Sequence, residues 1–213
     1  MKIKYLAHAT FLITSESGVK IVTDPYKAGG GIKHADIKET ADVVTVSHEH
    51  GDHNNAGAIR GSPQVLREGG SVKGLKFKAV TAAHDDKGGS QRGRNTIFCF
   101  TVDGVNICHC GDLGHALTEA QVKAIGRVDV LMIPVGGFFT IDAKTATRVV
   151  EQLNPKVIIP MHFKTEKLDF PIAGTDEFTT VKSNVTNVDG SEIELTAGSL
   201  PADTQIMILK PSL

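Results

Sequence analysis

Cysteine is scarce in this 213-residue chain: three thiols, Cys99, Cys108 and Cys110, cannot all pair, and their spacing matches no disulfide framework. Charge of one sign is missing as well. With 23 lysines and arginines against 24 acidic residues, there is no global field to hold a nucleic-acid backbone or an anionic membrane surface. No stretch approaches the ~18 apolar residues of a membrane span, and the opening MKIKYLAHATFLI lacks a long apolar core followed by a small-residue cleavage site. These absences predict a soluble, cytoplasmic protein without a membrane partner and leave nucleic acid as a minority reading. Repeats and low-complexity segments are lacking too, so one domain over 1–213 is expected.

What is present is a series of short β-runs punctuated by glycine: KIKYLAH, TFLITSES, VKIVTD, DVVTVS, LKFKAVTA, TIFCFTV, VNICHC, DVLMIPV and KVIIPMH, with EIELTA and TQIMILK in the tail. Several end in His or Asp, and strand ends in layered α/β folds are where loops converge to build sites. Asp103-Gly104 predicts a two-residue hairpin that sets Cys99 opposite Cys108. On a strand Cys108 and Cys110 point away from His109, so CHC cannot converge on one ion, and buried free thiols are expected. Helices are predicted in DAKTATRVVEQLN, capped by Asp142 and ended before Pro155, in LTEAQVKAIG between Thr118 and Gly126, and briefly in HNNAGAIR. The pattern suggests two face-to-face sheets with helices outside and a division near residue 95. YKAGGGIKHADIKET and HDDKGGSQRGRN are the candidate flaps.

The densest chemistry lies in SHEHGDHNN, residues 47–55, directly after ADVVTVS. Alternation brings His48 and His50 to one side, and the turn at Gly51 redirects Asp52 and His53, giving two neighbouring ligand sets. Nitrogen and oxygen donors without thiolate suit zinc, manganese, iron or nickel in an open site rather than a structural zinc cage. The alternative is a polar loop that is merely rich in histidine. Clustered imidazoles, however, repel one another when protonated and gain nothing without a ligand.

His48, His50, Asp52 and His53 form an H-x-H-x-D-H pattern that resembles the signature of the metallo-β-lactamase-fold superfamily, and the likeness extends through AHATFLI, VTDP, AVTAAHD, CHCGDLGH, IPVGG and VIIPMHF. Within it, the chain is most similar to the branch containing ascorbate-6-phosphate lactonase and N-acyl-phosphatidylethanolamine phospholipase D. The resemblance implies an α/β, four-layer αβ/βα sandwich. It also implies two divalent transition metals, zinc first with manganese or iron as alternatives: His48, His50 and His84 hold one, Asp52, His53 and His162 the other, and Asp112 bridges. A shared hydroxide would then cleave a small ester, lactone or phosphodiester. Asp52 is expected to orient that hydroxide, and His8, at a family position beside the cleft, and His115 are the candidate proton donors.

Asp24 is expected either to accept a hydrogen bond from a ligand imidazole or only to form a turn before Pro25. His109 is expected behind the ligands or in the core, and His34, in its glycine-rich loop, at the surface. Lys164, Arg92 and Arg94 are candidates for pairing with an anionic substrate, against the plainer role of solvated surface. Other readings are a non-catalytic metal-binding protein, a phosphodiesterase or nuclease of the same fold, and an iron oxidoreductase served by a flavin partner. Neutral charge and no room for a nucleic-acid-gripping insertion disfavour the nuclease. A homo-oligomer is compatible with flaps that a neighbouring copy completes.

Overall fold

The computed structural model describes residues 1–180 and 182–213. Its strands are β1 (Lys2–Ala7), β2 (Thr10–Thr14), β3 (Lys20–Thr23), β4 (Val43–Thr45), β5 (Gln64–Leu66), β6 (Gly70–Val72), β7 (Leu75–Ala83), β8 (Arg94–Val102), β9 (Val105–His109), β10 (Val130–Pro134), β11 (Val157–Met161), β12 (Val185–Asn187), β13 (Glu192–Glu194) and β14 (Gln205–Ile208). The helices are α1 (Glu119–Ile125), α2 (Ala143–Leu153) and α3 (Asp176–Thr179). Every β-run read from the sequence forms a strand. Three strands, β5, β6 and β12, were not expected; each has three residues, too few for alternation to show.

The strands form two sheets, one in the order β13-β1-β2-β3-β4-β5 and the other in the order β12-β14-β11-β10-β9-β8-β7-β6. The chain crosses between them after β5, not near residue 95, and β13 returns from the tail to pair with β1. Alternation decides which side chains meet between the sheets. Ile3, Tyr5, Phe11, Ile13, Ile21 and Val43 pack into one core with Phe77 and Ile97, whereas Leu12, Val22 and Val44 face the other way. Strands β10 and β11 are parallel and buried along their whole length, as strands covered on both faces must be.

Helix α2 lays Ala146, Val149 and Leu153 against the second sheet; Asp142 caps it by accepting from Thr145 N at 2.8 Å, and Asn154 ends it in the left-handed region. Helix α1 opens with a reciprocal Thr118–Gln121 capping box and packs on β7. On the first sheet the outer layer is made of a 3-10 turn at Ala56–Ala58 and of extended segments that bury Tyr26, Ile32, Ile37, Ile59 and Leu168. The result is a four-layer αβ/βα sandwich. In the β8–β9 hairpin Cys99 lies opposite Cys108, their sulfurs 3.9 Å apart and unbonded. Among the described residues no helix is long and apolar enough to cross a membrane.

Pairing directions make β1, β3 and β4 parallel to one another in the first sheet, and β7, β9 and β11 parallel in the second. His8, Asp24, Ser47 to His53, His84, Asp112 and His162 all follow the carboxyl ends of these strands. A ligand crevice belongs at that edge.

Candidate metal centre

Three of the strand-end residues, His8, Asp24 and His162, have φ of 59°, 37° and 50°, a region that side-chain-bearing residues seldom adopt. The bends are held by the packing around them: His162 N donates to His8 O at 2.8 Å, and Thr10 Oγ1 donates to Asp24 O at 2.6 Å. Such local strain concentrates where side chains must be aimed. Here it turns β1, β3 and β11 toward one point.

That point is the buried carboxylate of Asp112. Its Oδ2 lies 3.2 Å from His84 Nε2, 3.3 Å from His162 Nε2 and 3.8 Å from His48 Nε2, and its Oδ1 lies 3.2 Å from His53 Nε2. Asp52 Oδ2 stands 3.6 Å from His53 Nε2 and 3.1 Å from His8 Nε2. Three groups of donor atoms each span no more than 4.8 Å: His48 with His50 and His84, Asp52 with His53, His162 and His8, and Asp24 with His48 and His53, which links the first two. The two expected ligand sets are thus brought together, with His8 added to the second.

A layer behind these groups aims them. Asp24 accepts from Ser47 N at 2.8 Å, from Ser47 Oγ at 2.5 Å and from His53 Nδ1 at 2.9 Å. Ser47 Oγ also lies 2.9 Å from His48 Nδ1, so both imidazoles present Nε2 to the centre. Asn95 accepts from Asp112 N at 2.9 Å and donates to Cys110 O at 2.8 Å. Gly111, at φ 54°, is required there, because an added Cβ would come 2.4 Å from Asn95 Oδ1. His109 lies behind this turn as expected, hydrogen-bonded to Ala9 O and Gly111 N.

Burial, reinforced by neighbouring imidazoles, pushes His8 down to about 4 and His48 to about 3. Burial opposes the charge of Asp112 and Asp52, yet the surrounding histidines outweigh it and hold both well below the usual carboxylate range. His53 is driven well above its ordinary value, because Asp112, Asp24 and Asp52 overcome its own burial. At neutral pH the metal-free centre therefore sets ionised carboxylates beside the neutral imidazoles of His8 and His48, while His53 keeps its proton between Asp112, Asp24 and Asp52. His48 Nε2, His53 Nε2 and Asp112 Oδ1 are buried without a hydrogen-bond partner, and hard-to-borderline cations are what such a donor set accepts.

A cleft of about 610 Å³ opens on the centre, with His50, Asp52, His84, Asp112 and His162 at its floor and Lys27, Ile32, Arg92, Phe139 and Phe170 among its walls. Of the expected substrate residues, only Arg92 reaches it. Lys164 is turned away and donates to Phe170 O at 2.9 Å, while Arg94 opens β8 pointing outward, since its neighbour Asn95 points in. His115 is also elsewhere: its Nε2 accepts from Ala83 N and its Nδ1 donates to Ala116 O, which leaves it no proton to give. His8 is buried against His162, ring centroids 4.1 Å apart, and touches Asp52 rather than the cleft. His34, expected at the surface, is buried between Leu213 O and Thr165 Oγ1, because its loop is the outer layer of the first sheet.

Sequence reading passed over Ser47, Asn95, Lys27, Phe139, Phe170 and Asp85. Asp85, directly after His84, accepts from the backbone N–H of Lys87, Gly89, Gln91 and Arg92 at 2.7–2.9 Å. Burial raises its carboxyl, but these four donors hold it well below the usual range. An aspartate opening a Gly/Ser-rich loop is a turn signal, and it was available in HDDKGGSQRGRN.

The sequence pattern of the Beta-lactamase superfamily domain matches residues 2–162. A UPF0173 metal-dependent hydrolase of Pelotomaculum thermopropionicum is 34% identical, over 78% of this chain and 85% of that protein; one of Pyrococcus abyssi is 31% identical, over 92% and 100%. The crystal structure of a Thermotoga maritima protein, described as a candidate Zn-dependent hydrolase of the metallo-beta-lactamase superfamily, is 38% identical, covers 98% of this chain and 97% of its own, and superimposes with a TM-score of 0.81. The Pelotomaculum and Pyrococcus relatives carry the UPF0173 name rather than that of the lactonase and phospholipase branch. The chain belongs to the metallo-β-lactamase superfamily, as one of its UPF0173-like metal-dependent hydrolases.

Proposed function

We propose that the cleft hydrolyses a small ester, lactone or phosphodiester with two metal ions, one held by His48, His50 and His84, the other by Asp52, His53 and His162, with Asp112 between them. The carrying observation is the convergence of four imidazole Nε2 atoms on the single buried carboxylate of Asp112. Zinc suits these donors, and manganese or iron are accepted by the same set. Bound there, the ions would supply Lewis-acid polarisation and acidify water to a nucleophile near neutral pH. The chain's own residues position the rest. His8 donates from Nε2 to Asp52 and fixes its carboxylate, while Asp24 and Ser47 hold the tautomers of His53 and His48.

The test is metal content per chain by mass spectrometry on protein purified without chelator or histidine tag, followed by a screen of lactones and phosphodiesters. About two equivalents, with turnover lost on chelation and regained on adding metal, are expected. No metal after reconstitution with zinc and manganese would sink the proposal.

A further inference from the structure

Two cationic side chains on the cleft walls have no part in the metal centre. Lys27 follows β3, Arg92 follows β7, and both line the cavity. Neighbouring cations are already engaged: Lys33 pairs with Asp169 at 2.8 Å, Lys87 with Asp86 at 3.4 Å, and Lys164 donates to Phe170 O. Among the described residues, Lys27 has no carboxylate partner, and the Arg92 guanidinium has only the Phe139 ring, 5.7 Å from its centroid. The Arg92 backbone is not loose, because Asp85 binds its N–H at 2.7 Å and three more N–H groups of the same loop.

An aromatic strip runs from Arg92 to the floor. Phe139 meets Phe170 edge-on at 5.7 Å, and Phe170 meets His8 at 5.7 Å. Both phenylalanines are only half-buried and turn apolar surface into the cleft. A cavity that sets apolar walls beside a few convergent charges selects a ligand that has both features.

We infer that the cleft takes an amphipathic anion: a carboxylate or phosphate group is held by Arg92 and Lys27, and a flat apolar segment lies on Phe139 and Phe170 with the scissile bond over Asp112. This rests on the hydrolase reading above and narrows its substrate class to molecules that carry both an anionic group and an apolar segment.

The test titrates phenylphosphonate and methylphosphonate into the purified protein by calorimetry, with metal per chain counted in each sample. The wild type should bind phenylphosphonate about tenfold more tightly than methylphosphonate, the expected gain from burying an aromatic ring. Arg92→Gln and Lys27→Gln should each weaken phenylphosphonate by about tenfold at unchanged metal content, the loss of one charge-assisted contact. Neither side chain is buried, so both variants should fold. The inference is overturned if both variants stay within about twofold of wild type, or if the two phosphonates bind equally. A wild type without metal would overturn the hydrolase reading alone; the same Arg92 and Lys27 comparison in that protein still decides the subsite, since neither residue is among the metal donors.

Discussion

Replacing Asp24 by asparagine exchanges one carboxylate oxygen for an amide nitrogen that donates where acceptors are needed. Asp24 serves Ser47 N through Oδ1 and both Ser47 Oγ and His53 Nδ1 through Oδ2, all buried. An amide can satisfy only one side. With its oxygen toward Ser47 N, its NH₂ faces His53, whose Nδ1 must then accept; the proton moves to Nε2, the atom that faces Asp112, and His53 can no longer ligate. With its oxygen toward His53, the NH₂ meets Ser47 N–H, and a buried donor is left unpaired at a cost of about 1–3 kcal/mol. Loss of a carboxylate behind a ligand histidine lowers metal affinity by about 10–100-fold, or about 1.4–2.7 kcal/mol. Chelator competition with zinc, read beside thermal melting of the metal-free protein, separates the two orientations. Wild-type metal affinity together with wild-type melting would refute the view that Asp24 sets the His53 tautomer.

Three further outcomes are expected. Asp112→Ala should leave fewer than two metals per chain by mass spectrometry, and a variant that keeps two would remove Asp112 from the bridging position. Gly136→Ala places a Cβ 2.3 Å from His162 O, so it should cost about 1–3 kcal/mol in urea unfolding and reduce metal content; neutrality on both would show that this contact relaxes freely. Metal-free protein should melt at progressively lower temperature as pH falls from about 6.5 to 4, because the unfolded chain takes up protons that folded His8 and His48, held at about 4 and 3, refuse. His53, held above its ordinary value, acts with the opposite sign and is lost as a stabiliser when pH rises above neutrality, so melting should peak near pH 7. A melting temperature that stays level from pH 7 to 4 would contradict these directions.

The strands were legible because runs such as TFLIT and KIVT are short, rich in β-branched and aromatic residues and bounded by turn-forming residues, and the candidate ligands because each stands where such a run stops. The division between sheets was not, since β5 and β6 contribute three residues each and glycine at 69 and 70 reads as loop. His34 was misplaced because a glycine-rich segment looks like surface, although here Tyr26, Ile32 and Ile37 anchor it as a layer. Lys164 was chosen for its place two residues after His162 and Arg94 for its glycine-rich loop, but Lys164 is held by Phe170 O, and Arg94, opening β8, points away from the side on which Asn95 is buried. Phe139 and Phe170 reach the cleft from segments 31 residues apart, a convergence no local pattern announces.

β1 pairs with β2 on one side within a few residues, but its other neighbour, β13, lies about 190 positions later in the chain. At about 5–20 residues per second of synthesis, that edge waits for about 10–40 s before its partner emerges. An open edge of this kind invites pairing with another nascent chain. Lys2 and Lys4 alternate along it, and Lys2 later meets Glu192 of β13 at 3.5 Å. The charges that complete the sheet in the finished protein guard it against the wrong partner while it is being made.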